Sequence, residues 1–353
     1  MDAGFWKGRR VLVTGHTGFK GSWLSLWLHH LGADVVGYAL EPDSDPNLFE
    51  RAQVAELMTS VIADVGDRET LAATIDEHQP EVVLHLAAQA LVRPSYHDPV
   101  GTFATNVMGT ANLLDALRRV DALRSVVVVT SDKCYENREW DWGYRENEAM
   151  GGHDPYSASK GCAELVTSSM RRCFFADGPA GVGSGRAGNV IGGGDWSLDR
   201  LLPDIVSAFA SAEPVVIRRP HAVRPWQHVL EPLGGYLLLA QRLAEEGQAF
   251  ATGWNFGPAD TDARPVEWIT RRMAERWGSG AEYEIVETGP HEAGLLRLDC
   301  SMARQRLGWR PRLELSTTLD WLVDWYRREL DGDSARDLCL EQIALYEEAG
   351  TDS

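Results

Sequence analysis

Long apolar runs are missing from this chain. No stretch approaches the ~20 consecutive apolar residues that a membrane-crossing helix needs. Val126–Val129 and Leu237–Ala240 are short bursts only. Cysteine is scarce as well. The five residues, at 134, 162, 173, 300 and 339, are odd in number and contain no CxxC pair. That argues against a disulfide frame or a zinc site, so no metal is expected, and it fits reduced thiols in a cytoplasmic protein. Positive charge is the third deficit. Lys and Arg number 34 against 52 Asp and Glu, a net charge of −18. A chain this acidic is a poor general polyanion binder, which sets nucleic acid aside as a partner. Lys7, Arg9 and Arg10 resemble the charged start of a signal peptide. They lead into Val11–Thr14 and then glycines, not into a 7–15-residue apolar core. Neither an internal repeat nor a low-complexity tract is present.

What remains is ordinary globular material, 44% hydrophobic and 24% charged over 353 residues. That length suggests about two domains. In the first ~175 residues, apolar runs of strand length alternate with helical stretches. The strand-like runs are Val11–Gly15, Val35–Leu40, Val61–Val65, Val82–Ala87 and Val126–Thr130. The helix-like segments are Ser22–Leu31, Arg68–His78 and Gly109–Val120. This alternation predicts an α/β fold with a doubly wound, Rossmann-type parallel sheet. The second half is less regular. Gly178–Gly194 reads as loop, and a strand follows at Val215–Arg218. Helices fit Leu201–Ala212, Leu233–Glu246, Val266–Trp277, Thr317–Leu330 and Ala335–Glu348. Most of the 13 Trp residues read as core.

The first strand runs into Gly15-His16-Thr17-Gly18-Phe19-Lys20-Gly21, a GxxGxxG that opens a helix. Glycine permits the tight turn and lets backbone approach a pyrophosphate, and a helix N-terminus favours the anion. Its position between strand and helix points to a dinucleotide loop, with Gly15, Thr17, Gly18, Phe19, Lys20 and Gly21 as cofactor-binding candidates. Glu41 and Asp43 follow the second strand and could take the ribose hydroxyls. No Arg there would hold a 2′-phosphate, which favours NAD over NADP. Asp64 either bonds an adenine amine or serves as a cap or turn residue. Ala87, closing strand four, joins the cofactor-side set. His85, within that strand, reads as a satisfied core histidine.

Tyr156-Ser157-Ala158-Ser159-Lys160 is a YxxxK behind Pro155, so Tyr156 and Lys160 share a helical face. A phenol of pKa ~10 is a poor base at neutral pH, and a nearby ammonium favours its phenolate. The strand Val126–Thr130 ends at Ser131, where the carboxyl ends of parallel strands face a ligand crevice. Ser131, Tyr156 and Lys160, joined to the glycine loop, resemble the extended short-chain dehydrogenase/reductase family. Asp132 and Lys133 follow the serine directly, and an acid and a base beside an oxidation site suit elimination. Oxidation of a sugar C4 hydroxyl acidifies the C5 proton, and an acid helps the C6 hydroxyl leave.

Five longer strings sharpen the resemblance: Val13–Leu28, Thr130–Asn137, Gly143–Lys160, Arg186–Trp196 and Arg224–Pro232. From about residue 6 to 330 the chain is similar to the CDP-glucose 4,6-dehydratases, within the nucleotide-sugar 4,6-dehydratases. The resemblance implies conversion of CDP-glucose to the 4-keto-6-deoxy sugar with bound NAD. Ser131, Asp132, Lys133, Tyr156 and Lys160 would be the catalytic set, with Asp132 as acid for the C6 hydroxyl. Relatives acting on dTDP- and GDP-sugars have Asp-Glu where this chain has Asp132-Lys133. Lys133 is then either a neutral base toward C5 or a charged stabiliser of the enolate. Substrate-side candidates by the same resemblance are Asn189, Arg224 (bidentate toward the diphosphate) and His291. Arg93, after strand four, could reach the crevice. Arg218, Arg219 and His221 read as a solvated basic rim.

The family pattern also implies interleaved domains. Residues 1–185 with about 228–260 form the NAD-binding part; about 186–227 and 261–350 form a smaller α/β part for the nucleotide sugar. Helices at Gly109–Val120 and Pro155–Phe174 imply a homodimer or homotetramer. One departure stands out. Where the family has a strand, this chain reads Gly178-Pro179-Ala180-Gly181-Val182-Gly183-Ser184-Gly185, which predicts a distorted or missing sheet-edge strand. Two other readings share the motifs: an epimerase or dehydratase for another nucleotide sugar, and a non-catalytic nucleotide binder.

Overall fold

Each short valine-rich run becomes a strand because both of its faces can be covered. In β1 (Arg10–Thr14), Val11 and Val13 enter one hydrophobic core while Leu12 enters the other. The same alternation recurs in β4 (Val82–His85) and β5 (Ser125–Val129). A strand buried on both sides belongs in a parallel sheet between helical layers. The computed structural model describes residues 2–197, 200–286 and 296–350.

The remaining strands of the main sheet are β2 (Asp34–Ala39), β3 (Thr59–Ile62), β6 (Gly181–Ala187) and β7 (Gly253–Phe256). All pairings are parallel, in the order β7-β6-β5-β4-β1-β2-β3. The chain therefore reverses its direction of winding between β1 and β4, the switch point at which such sheets bind ligands. Helices α1 (Phe19–His30) and α5 (Leu230–Glu246) cover one face. Helices α2 (Arg68–His78) and α3 (Gly109–Leu117) cover the other, with α4 (Pro155–Met170) packed on α3. The last two helices, α6 (Leu315–Leu330) and α7 (Ala335–Glu348), pack on each other, and α7 lies against α1. There Trp27 meets Tyr346 edge-on and donates Nε1–H to Glu347 at 2.8 Å. Trp6, Trp23, Trp27, Trp254 and Trp325 are fully buried, as core tryptophans should be.

The glycine-rich segment departs from expectation. Residues 181–187 are neither loop nor distorted edge. They form β6, wholly buried and hydrogen-bonded to β5 on one side and β7 on the other. The reason lies in α5. A β-carbon on Gly181 would lie 2.7 Å from the Leu243 carbonyl oxygen, and one on Gly185 would lie 2.6 Å from the Tyr236 ring. One on Gly183 would meet Leu243 at 3.1 Å. The three glycines are a flat track on which α5 rests, while Val182 and Ser184 face the opposite layer. Periodicity reasoning weighs side chains and is blind to a strand face that has none.

Outside the main sheet the chain makes small two-stranded pieces. Val215–Ile217 pairs with Tyr283–Ile285, and Val223–Pro225 pairs antiparallel with Ala263–Pro265. Gln227–His228 pairs with Val190–Ile191 directly after β6.

Candidate functional site

The glycine loop leaves β1 at the switch point. Gly15 has φ +78°, and a β-carbon there would come within 2.7 Å of the Ala87 nitrogen, so the loop passes directly over the end of β4. A β-carbon on Gly21 would strike the Gly15 carbonyl, so loop and helix start are in close contact. Gly18 caps α1 without any side-chain hydrogen bond. The first-turn N–H groups of Phe19 and Lys20 therefore carry the positive helix end toward the crevice. Thr17 donates to the Leu40 carbonyl at 2.8 Å, tying the loop to the end of β2. His16 is buried and bonded through Nε2 to Ser60 Oγ at 2.7 Å; burial lowers its pKa to about 4 and keeps it neutral. Asp64 is exposed and accepts the Gly66 N–H at 2.7 Å, the geometry of a turn residue. Glu41 and Asp43 are exposed beyond β2. His85 is a core histidine as expected, held by Thr14 at 2.7 Å and Thr110 at 3.1 Å, with burial lowering its pKa to about 3.

Helix α4 begins where the sequence requires. Asp154 accepts the Ser157 N–H at 2.9 Å, and Pro155 occupies the first turn. Tyr156 and Lys160 then lie buried on one face. The Tyr156 N–H donates to Ser95 Oγ at 3.2 Å, fixing the helix against the segment after β4. β5 delivers Ser131 opposite, in the short helical turn Asp132–Cys134. Ser131 donates to Asp132 Oδ1 at 3.0 Å and accepts the Lys133 N–H at 3.2 Å, and its hydroxyl favours the ionised form of the Tyr156 phenol. Lys160 Nζ donates to the Val129 carbonyl at 3.3 Å.

The electrostatics follow from burial. Desolvation raises the Tyr156 pKa to about 12 despite the Ser131 bond. Desolvation lowers Lys160 to about 8, against the pull of Glu164. Asp132 is raised by burial, with Lys133 and Lys20 opposing. Lys20 is lowered to about 8 by burial, then by Arg200 and Lys160. Its ammonium thus belongs to the same charge cluster as Lys160 and Asp132. Such a convergence of perturbed groups in one cleft marks a functional site.

Ser131, Asp132, Lys133, Tyr156, Lys160 and Lys20 converge at the mouth of the sheet. Gly188 lies against the Asp132 carboxylate, where a β-carbon would sit 2.6 Å from Oδ2, and this brings the Asn189 loop alongside. A cavity beside Asp132 is lined by Gly188, Pro225, Pro258, Arg297 and Leu298. Arg224 stands next to Pro225 in the small antiparallel pair. Arg93 is exposed on the short helix Val92–His97. His291 lies outside the described residues. Sequence reasoning missed Ser95, Arg200 and Arg297. Arg200 acts electrostatically on Tyr156 and pairs with Asp195 at 3.0 Å. A lone Arg in Leu296-Arg297-Leu298 carried no motif, and its place in the cavity comes from the pairing of Leu298 with Tyr144.

Comparison with known proteins adds independent findings. A family model described as GDP-mannose 4,6 dehydratase matches residues 12–321. The CDP-glucose 4,6-dehydratase of Salmonella typhimurium is 53% identical over 359 residues, covering 99% of each chain. Among solved structures, a UDP-glucose 4-epimerase of Stenotrophomonas maltophila with bound NAD superposes with TM-score 0.79 at 23% identity, over 92% of this chain and 100% of that one. A double mutant of a dTDP-glucose 4,6-dehydratase of Streptomyces venezuelae with NAD gives 0.76 at 23% identity, over 91% and 98%. At such identity these two attest the fold.

Proposed function

The chain belongs to the GDP-mannose 4,6 dehydratase family, and from that premise we propose that it is a lyase converting CDP-D-glucose to CDP-4-dehydro-6-deoxy-D-glucose and water. The observation that carries this reading is the Ser131-Asp132-Lys133 turn facing Tyr156 and Lys160 in a chain 53% identical, end to end, to a CDP-glucose 4,6-dehydratase.

The glycine cradle fits a dinucleotide diphosphate: β-carbons at Gly15 and Gly21 would fill it, and the α1 start is uncapped. Gly15, Thr17, Gly18, Phe19, Lys20 and Gly21 would hold NAD there, with Asp64 and Ala87 at its flank, and NAD when bound would supply a hydride acceptor for the sugar C4 and a donor for C6. Every other duty falls to the chain. Ser131 orients the C4 hydroxyl, and Tyr156 takes its proton. The ammonium of Lys160 lowers the cost of the phenolate, which burial alone makes prohibitive. Burial raises the Asp132 pKa, which favours its role as the general acid that delivers a proton to the departing C6 hydroxyl. Lys133, next in the turn, faces C5 as base or as enolate-stabilising ammonium. Asn189, Arg224, His291 and Arg93 hold the nucleotide sugar.

In this reading the interleaved division holds, with 1–185 and about 228–260 serving NAD and about 186–227 and 261–350 serving the sugar nucleotide. The protein pairs as a homodimer, or a dimer of dimers, through the face carrying Tyr96, Val100, Met108, Leu165 and Phe174, all exposed. Five unpaired thiols support a cytoplasmic setting. The test is a panel of nucleoside diphosphate glucoses with product mass. Loss of one water from CDP-glucose, with catalytic NAD, is expected. Epimerised product, or turnover confined to another nucleotide, would refute the assignment.

A further inference from the structure

The turn bearing Ser131, Asp132 and Lys133 is short, and three residues must hold their geometry beside a cavity. Both of its shoulders carry hydroxyls, and both hydroxyls end on one buried ion pair. Upstream, Thr130 Oγ1 donates to Glu164 Oε1 at 2.6 Å. Downstream, Arg186 Nη1 donates to the Tyr135 hydroxyl at 2.7 Å. Glu164 and Arg186 are themselves joined by two bonds, from Nε at 2.9 Å and Nη2 at 2.8 Å. The remaining capacity is used. Ser184 donates to Glu164 Oε2 at 2.7 Å, Arg186 Nη1 reaches the Glu146 carbonyl at 2.9 Å, and Tyr135 donates to Asn255 Oδ1 at 2.7 Å. A β-carbon at Gly253 would lie 2.3 Å from the guanidinium, so the cage is closed on that side by a glycine.

A buried ion pair gives little net stability, because desolvation offsets its attraction. A fully hydrogen-bonded one gives rigidity to whatever it touches. This pair touches β6, β7, α4 and both ends of the turn. Glu164 also stands one helical turn beyond Lys160, so the same side chain faces the ammonium that Tyr156 needs.

We propose that the Glu164–Arg186 pair is a clamp on the catalytic turn, with Thr130 and Tyr135 as the positioning residues through which it holds Ser131, Asp132 and Lys133. The catalytic part of this rests on the dehydratase reading; the mechanical part does not. Removing either shoulder bond frees that end of the turn while sparing the ion pair itself. A displacement of about 1 Å at reacting groups lowers turnover about a hundredfold without weakening binding.

The experiment uses the full-length protein with Thr130→Val, Thr130→Ser and Tyr135→Phe. For Thr130→Val and Tyr135→Phe, kcat with CDP-glucose should fall at least about tenfold, with KM and NAD affinity within about twofold. Amide hydrogen exchange over residues 130–136 should quicken about tenfold, with the rest of the sheet unchanged. Thr130→Ser, which keeps the hydroxyl, should restore both. Unchanged exchange across the turn overturns the clamp, and so does a deficit in KM alone or one that Thr130→Ser fails to rescue. If wild-type protein proves inert toward CDP-glucose, the activity reading fails, and the exchange measurements still decide the clamp.

Discussion

Asp132→Asn separates the two halves of the proposed chemistry. The replacement is isosteric, and its carbonyl oxygen still accepts from Ser131, as Asp132 Oδ1 does at 3.0 Å. The space against Gly188 is unchanged, and a neutral amide is easier to bury than a carboxylate, so the fold should persist. What disappears is the acid proton. A positioned general acid contributes typically 10²–10⁴-fold, so elimination should slow by about 3–5 kcal/mol in barrier. Ser131, Tyr156 and Lys160 are untouched, so oxidation at C4 should continue within a few-fold. The assay is the near-ultraviolet absorbance of reduced nicotinamide on mixing with CDP-glucose, followed by product mass. The variant should accumulate the reduced cofactor to about one per site and release no dehydrated sugar. The pH dependence should change too. Burial raises the Asp132 pKa, so wild-type elimination persists above the ordinary carboxylate range and declines as pH climbs through that raised value; the variant should lack this limb. Full lyase turnover by Asp132→Asn, or absence of any reduced cofactor, would refute the assignment of Asp132 as acid.

Lys133→Arg keeps the charge but cannot act as a base at neutral pH; retained turnover would assign enolate stabilisation, and loss with intact C4 oxidation would assign the base. Gly185→Ala forces a β-carbon to 2.6 Å from the Tyr236 ring and should cost ~1–3 kcal/mol by denaturant unfolding, with Gly183→Ala, at 3.1 Å, costing less. Glu231 is buried, accepts the N–H groups of Arg312 and Leu313 and the Tyr346 hydroxyl, and has its pKa raised from 4.5 to about 7 by burial. Between those values the folded state binds the proton more tightly than the unfolded chain. Stability should therefore fall as pH rises through that window, by at most about 3 kcal/mol. Glu231→Gln keeps both N–H contacts and should flatten the urea midpoints measured at about pH 5 and about pH 8; an unaltered slope would exclude Glu231 as its source. Leu165 and Val100 are 60% and 77% exposed, and a Leu165→Lys, Val100→Lys double variant should sediment as monomer.

Regions whose partners lie close in sequence were legible before the fold was known. The helix Arg68–His78 is bounded as expected because Asp67 caps it and Leu71 and Ile75 mark its buried face. Ala335–Glu348 is likewise capped by Ser334. Tyr156 and Lys160 were legible because helical spacing alone puts them together. The unexpected parts depend on partners far along the chain. β6 is a strand only because α5 lies on its glycines. Arg297 and Ser95 reach the site through pairings that no local pattern encodes. Arg186 stood in a motif string and Glu164 in no pattern at all, and their bond across 22 residues required the sheet to exist.

The glycine track under α5 also bears on the order of assembly. Glycine gives up more freedom on folding than any other residue, about 0.5–1 kcal/mol beyond alanine at each position. β6 has three on one face and no side chains there to recover the loss until α5, later in the chain, arrives. β1, β2, β4 and β5 carry apolar side chains of their own on both faces, so they depend on α5 less than β6 does. Since Ser184 and Arg186 sit on β6, the catalytic centre should be completed after the cofactor half of the sheet has formed. Pulse-labelled exchange during refolding would show protection at 125–129 before 181–187, and simultaneous protection would contradict that sequence of events. A newly made chain would then pass through a state able to hold a dinucleotide before it can dehydrate a sugar.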